Sequence, residues 1–409
     1  MKKKLTPFGL TLLLSIVYFT SYITRKNFSV IITSIIDGTG FEDNLLGIAL
    51  TCLSITYGVG QVVNGFIGDI IKPQNLIFCG LIVVSIMNTV LPLVSASVGL
   101  MCVCWAINGF AQAMMWPPIV RILATTLNDK QYNTSILIVC IASSLATIVL
   151  SLVAGGIIKF FNSWTSIFYI SAAIGFIVCI VWFLLKDRCG DFESKKIIIK
   201  PEEKTSAPKF SVPKIAIFPL IFIFITIILQ GMLRDGIEPL LPIYLEEMLH
   251  QTAEDAIIIT IAPSILSIVF YYLSLWMYKR FFTNEVSCGS LIFSFASIAG
   301  IALLFLFNVG HVAPVICLTL VTSFMHGVNL MLNSYVPKRF KKYGNVSTFA
   351  GITNACTYIG SAIAYPLFLT ISDWYIKVIV CTSIAVFGTL CAFIASRKWN
   401  KVIKDSSEA

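Results

Sequence analysis

Two arginines, Arg25 and Arg234, stand inside runs that are otherwise apolar enough to cross a bilayer. A guanidinium at the centre of hydrocarbon costs from about 2.5 kcal/mol on insertion scales to more than about 10 in simulations, so something must offset it. The planar fork keeps its charge at any relevant pH and matches phosphate or carboxylate oxygens in bidentate geometry. Two forks converging on one place therefore suit a dianion. Tyr18, Tyr22, Arg25 and Ser29 follow each other at i, i+4, i+7 and i+11, which puts them on one helical stripe. The tyrosines beside Arg25 would supply hydroxyl donors and aromatic walls for an organic remainder. Lys26 lies about 100° round the helix from Arg25, so both cannot point squarely at one ligand; it is read either as paired with an acid or carbonyl elsewhere in the bundle or as a coupling or gating candidate.

Around Arg234 the residues admit a second reading. Gln230, Arg234 and Glu238 share a helix face, and Glu238 stands at the i+4 spacing of an internal ion pair, although Arg before Glu is the weaker order. Asp235 is adjacent. Asp235 and Glu238 are thus either permanent counter-ions or coupling groups. Pro239 and Pro242 predict a kink at this point, and the kink is placed to act as a hinge. His326 titrates near neutrality and is read either as a ligand or proton site or as a buried hydrogen-bonding side chain. Trp116-Pro117-Pro118 predicts another kink, with Arg121 near enough to the boundary to snorkel.

Polar stripes recur elsewhere: Tyr57, Gln61 and Asn64; Asn108 and Gln112; Ser143, Ser144, Thr147 and Ser151; Ser264, Ser267 and Tyr271; His326, Asn329 and Asn333; Asn354, Tyr358, Ser361 and Tyr365. Such stripes either bond helix to helix or line a polar cavity. Their repetition in both halves, with an arginine at the matching place, favours the cavity.

The elements that must carry these residues are membrane spans. Of 409 residues, 57% are hydrophobic and only 12% charged, with a mean hydropathy of +0.89, too little polar surface to cover a soluble core. Hydropathy predicts about twelve spans, from Phe8–Ile36 to Trp374–Ser396. The charged linker after Asp187 divides the chain into an N-terminal six-helix bundle (1–187), a linker (188–213) and a C-terminal six-helix bundle (214–409). The third, sixth, ninth and twelfth spans are the least polar and are expected to face lipid. The fold class expected is an all-α membrane protein of two pseudo-symmetric bundles.

The net charge of +9 is a matter of topology. Lys2 to Lys4, Lys72, Lys130, the linker, Lys279-Arg280, Lys338 to Lys342 and Arg397-Lys398 fall on one set of loops; Asp37, Glu42, Asp43, Glu246, Glu247, Glu254, Asp255 and Asp373 fall on the other. The positive-inside rule then predicts cytoplasmic termini, and no nucleic-acid partner is implied. The first span is too long for a secretory h-region and is expected to be retained. Twelve cysteines lie mostly inside spans with no CxxC or Cys/His cluster, so they read as small apolar residues, and no metal or cofactor is expected. No HExxH, GxSxG or P-loop is present, which argues against an enzyme and against ATP-driven pumping by this chain alone.

Tyr18-x3-Tyr22-x2-Arg25-Lys26-Asn27-Phe28, Tyr57-Gly58, Trp116-Pro117-Pro118, Leu233-Arg234-x-Gly236 with Pro242-x-Tyr244, and Tyr358-x-Gly360 resemble the major facilitator superfamily, and within it the organophosphate:phosphate antiporters. The superfamily's loop motif survives as Gly65-x3-Asp69-x2-Lys72. The resemblance implies two halves rocking about a central site, with Arg25 and Arg234 holding a phosphoryl group, Tyr18, Tyr22, Tyr57 and Tyr358 around the ligand, and inorganic phosphate leaving as organophosphate enters. Substrate-binding candidates are those six residues with Gln61 and His326; coupling or gating candidates are Lys26, Asp235, Glu238, Asn329 and Asn354. This chain departs from glycerol-3-phosphate exchangers at Gln61, where they carry lysine, at Ser143 or Ser144 in place of histidine, and at His326 in place of tyrosine.

The expected partners are a phosphorylated small anion, inorganic phosphate and the lipid bilayer of a plasma or inner membrane, with the protein acting as a monomer. A transporter-like sensor of sugar phosphates and a proton-coupled carrier of another anion are the competing functions. On the preferred reading two unpaired arginines oppose closure of the empty cavity, because closure strips their water, and a bound dianion removes that barrier.

Overall fold

A computed structural model of the protein describes residues 4–192, 212–237, 240–249, 253–307, 309 and 312–407. Glu238, Pro239 and most of the linker lie outside the described residues. All regular structure among the described residues is helical. The first six spans are α1 (Pro7–Val30) continued by α2 (Ile32–Thr39), α3 (Asp43–Ile70), α4 (Pro73–Leu93), α5 (Val98–Gln112) continued by α6 (Trp116–Thr126), α7 (Asp129–Phe161) and α8 (Thr165–Leu185). The second six are α9 (Lys214–Asp235) with α10 (Leu240–Leu249), α11 (Ala253–Phe281), α12 (Glu285–Leu306), α13 (Val312–Asn329) running through a π-helical turn (Leu330–Tyr335) into α14 (Val336–Lys338), α15 (Val346–Thr370) and α16 (Trp374–Ser407).

Local sequence starts several of these helices. Thr6 accepts a hydrogen bond from the Gly9 amide, and Pro7 occupies the first turn of α1, where no N–H is needed. Asn128 and Gln131 close a capping box on α7, and Asn284 accepts from the Val286 and Ser287 amides at the start of α12. The Trp116-Pro117-Pro118 kink is real, since the helix lapses between Gln112 and Trp116. α9 ends at Asp235 and Gly236 and Ile237 form a turn, while the kink expected from Pro239 falls on a residue outside the described ones. The lapse at Ile31 was not signalled by proline or glycine.

Eleven helical segments among the described residues are long and apolar enough to span a membrane, against twelve expected. The exception is α15. It is long enough at 25 residues, but Thr353, Asn354, Thr357, Tyr358 and Ser361 dilute its apolar content. On α8, by contrast, Ile177, Ile180 and Leu184 are 61 to 62% exposed, as a lipid-facing helix requires.

The helix pairs α3 with α15, α6 with α15 and α7 with α11 bring the first and second sets of spans together, while α4 and α8, and α12 and α16, pack within their own sets. These last four are the spans expected to face lipid. Where α9 crosses α15, Gly231 and Gly360 each lie against the other helix's backbone so closely that a Cβ would strike a carbonyl oxygen. Small residues are what let membrane helices approach this far.

The two sets are bolted at the end where the basic residues gather. Asp69, at the end of α3, accepts hydrogen bonds from the Ser347 and Thr348 amides at 3.1 and 2.7 Å, capping the free N–H groups of α15. Tyr132 donates to the Ser334 carbonyl at 2.6 Å, and Lys338 meets Asp129 at 2.7 Å. Arg121 does not snorkel: it donates to the Gly68 and Ile71 carbonyls at the C-terminus of α3 and lies 3.8 Å from Asp69.

Candidate functional site

Arg25 lies on α1 one and a half turns before the lapse at Ile31 and is only 5% exposed. Its Nη1 donates to the Tyr358 hydroxyl at 3.1 Å, which ties the first set of spans to the second. The guanidinium carbon sits 4.2 Å from the Tyr22 ring centroid and 4.7 Å from that of Tyr57. Aromatic faces and a phenol thus hold this charge, and among the described residues no carboxylate is paired with it. The box is itself braced. Tyr57 and Tyr358 pack in a tilted pair with centroids 4.4 Å apart, Asn354 donates to the Tyr57 hydroxyl at 3.2 Å, and Tyr18 packs between Tyr22 (5.2 Å) and Trp116 (5.0 Å).

Arg234 stands in the last turn of α9, 7% exposed. It corrects the expectation of two unpaired arginines. Its Nε and Nη2 donate to the two carboxylate oxygens of Asp235 at 2.6 and 2.8 Å, a bidentate pair, and Ser361 donates to the same carboxylate at 2.8 Å. The pair closes at the C-terminal end of α9, where Asp235 is the last helical residue. Tyr22 and Tyr358 lie within electrostatic reach of both guanidiniums.

Lys26 is half-buried and within electrostatic reach of Asp235, Tyr22 and His326. His326 sits 3.1 Å through Nδ1 from the Tyr271 hydroxyl, in the hydrogen-bonded setting that the less reactive reading required. Gln61 is fully buried one turn from Tyr57, and neither amide atom has a hydrogen-bond partner among the described residues. Asn329 is 9% exposed with its amide nitrogen unpartnered. Buried polar groups of this kind are exceptions that call for a ligand, water or strain.

Other stripes turn out to be joints between helices. Ser21 donates to Gln112, which donates to Thr24; Asn108 donates to the Thr24 carbonyl, and Asn64 donates to that of Phe110. The expected cavity-lining role of Asn108, Gln112 and Asn64 is therefore replaced by packing. Ser29 leaves the tyrosine stripe, is exposed, and donates to the Lys26 carbonyl. Asn333 and Gln230 bond Thr357 and the Met325 carbonyl. Ser144 and Ser267, read as cavity residues, meet at 2.7 Å across α7 and α11. Sequence reasoning missed Asn27, which donates to Asn88 at 2.6 Å beneath the site, and gave Trp116 no role beyond a kink.

Comparison with known proteins supplies the remaining observations. Residues 14–365 match the family model described as Major Facilitator Superfamily. A glycerol-3-phosphate transporter of Bacillus subtilis is 30% identical over 171 residues, which is 41% of this chain and 38% of that protein. A probable hexose phosphate transport protein of Chlamydia trachomatis is 30% identical over 174 residues, 42% of this chain and 37% of that one. The match thus spans under two fifths of the length of these curated relatives. The crystal structure of the transporter FucP in its outward conformation superposes with a TM-score of 0.70 at 14% identity, over 95% of this chain and 97% of that one.

Proposed function

Because this chain belongs to the major facilitator superfamily, and so is a multi-pass membrane transporter and not an enzyme, we propose that it exchanges a phosphorylated small organic anion for inorganic phosphate. The observation that carries the reading is the state of Arg25, a buried guanidinium held by two aromatic rings and one phenol that bridges the two halves. A charge kept this dry without a carboxylate is poised for an anion from outside. Partial identity to glycerol-3-phosphate and hexose phosphate transporters supports a phosphoryl group over other anions.

In this mechanism the phosphoryl group enters beside Arg25, takes its free N–H donors in charge-assisted bonds and receives hydroxyl donation from Tyr22 or Tyr358. Arg234 joins by exchanging Asp235 for phosphoryl oxygens, and the released carboxylate stays close to Lys26. With its charge neutralised the site can close on one side and open on the other. The bonds at the basic end, among them Asp69 to α15 and Tyr132 to Ser334, belong to the conformation closed at that end, which we assign to the cytoplasm. The empty carrier returns poorly because Arg25 regains its unneutralised charge in a site without water.

The test is counterflow. Purified protein in phosphate-loaded liposomes should take up labelled phosphate from outside, phosphorylated three- to six-carbon metabolites should compete, and uptake should collapse when the lumen lacks phosphate or organophosphate. Uptake that needs no internal anion and tracks an imposed pH gradient would instead establish proton coupling and refute exchange.

A further inference from the structure

The cytoplasmic assignment of the basic end raises the question of how that end meets the lipid headgroups. Several of its cations are spent within the protein: Arg339 on Glu285 at 2.7 Å, Lys338 on Asp129 at 2.7 Å, and Lys186 on the Asn75 side chain at 2.8 Å. Lys279 and Arg280, in the last turn of α11, are exposed and have no partner among the described residues. They border a cavity of about 280 Å³ on the outer surface, whose other walls are Tyr272, Leu275 and Trp276. Tyr272 and Trp276 are 65% and 49% exposed, and Trp276 is held edge-on by Phe281 with centroids 5.5 Å apart.

From this arrangement we propose that the groove on the outer face of α11 binds the headgroup of an anionic phospholipid. The ordering along the helix is what such a lipid needs. Spacings of three and four residues set Tyr272, Leu275, Trp276 and Lys279 on one stripe, running from the apolar interior to the boundary. Apolar and aromatic groups meet the acyl and glycerol regions, and the two cations lie where a phosphate would be, at the depth favoured by interfacial aromatics. A zwitterionic lipid brings its own cation to the same place and gains less.

The site backs onto the gate. Tyr278, one turn from these residues on the inner side of α11, receives a hydrogen bond from Arg339 and packs at 4.9 Å on Tyr335, which in turn meets Tyr132 of the first half edge-on at 5.7 Å. A headgroup that steadies this turn therefore also steadies the contacts that close the basic end.

The experiment uses the whole protein in nanodiscs of phosphatidylcholine doped with brominated phosphatidylglycerol, with tryptophan quenching as the binding readout and no need for transport. Wild type should show saturable quenching at low phosphatidylglycerol content. Lys279→Gln with Arg280→Gln should weaken it by roughly tenfold to thirtyfold, as expected for the loss of two interfacial basic residues. Lys398→Gln with Lys401→Gln, which removes the same charge from exposed positions elsewhere on that end, should leave it unchanged. Equal weakening by both pairs would mean diffuse surface attraction and overturn the site. If inorganic phosphate at millimolar concentration displaces the lipid in wild type, the groove is a free-phosphate site and the lipid assignment fails.

Discussion

Arg234 and Asp235, neighbours in sequence, form a two-pronged ion pair at 2.6 and 2.8 Å that is steadied by Ser361, whereas among the described residues Arg25 has phenol and ring partners alone. The two arginines are therefore unequal: one is held by aromatic and phenol groups and the other is covered by a resident carboxylate. Asp235 occupies the place on Arg234 that two phosphoryl oxygens would take.

Removing that carboxylate tests its part. Asp235→Asn leaves Arg234 buried without its counter-ion, a change that typically costs about 3 to 5 kcal/mol. Thermal stability of the ligand-free protein should fall, and millimolar phosphate should restore more of it than phosphate adds to wild type. A variant equally unstable with and without phosphate would show that Asp235 does not compete with cargo.

Arg25→Lys keeps the charge and loses the fork. The ammonium cannot make a bidentate contact, and a lost hydrogen bond to a charged group is worth about 1.5 to 3 kcal/mol. Phosphate affinity should drop by about tenfold to one hundredfold, and exchange with it, while reconstitution is unchanged. Binding measured by isothermal calorimetry separates this from a folding defect.

Tyr132→Phe deletes the hydroxyl that joins α7 to the Ser334 carbonyl in the π-helical turn. Closure at the basic end should weaken by about 1 kcal/mol, a several-fold shift in population. Cys140, on the same helix and 3% exposed, reports on it. Site-resolved maleimide labelling of Cys140 should accelerate in the variant and slow again when cargo is added.

Gly351 permits the closest approach of α15 to α3, since a Cβ there would collide with the Gln61 carbonyl oxygen. Gly351→Val should hold the basic end apart. Exchange is then lost although the protein inserts, and distances between spin labels on the ends of α3 and α15 should lengthen.

How far these features were visible in the sequence depends on the kind of interaction. Arg25 and its tyrosines stood out because a charge and regularly spaced phenols in an apolar run have few explanations, and the spans follow from hydropathy alone. The Arg234–Asp235 pair was obscured because adjacent residues on a helix are not expected to face each other, so the i+4 spacing points to Glu238 instead. Asn108 and Gln112 look the same in sequence whether they bond Thr24 or face water, since periodicity gives a face and not its neighbour. The bolts at the basic end join residues about 200 to 280 positions apart and leave no local signature.

The dilution of α15 by hydrogen-bonding side chains bears on how the protein is made. Its buried Asn354, Thr353 and Thr357 need hydrogen-bonding neighbours inside the bilayer. Its partners α3 and α9 precede it in the chain, so they are already in place when it leaves the ribosome. Span α15 thus relies for its place in the bilayer on spans that precede it in the chain.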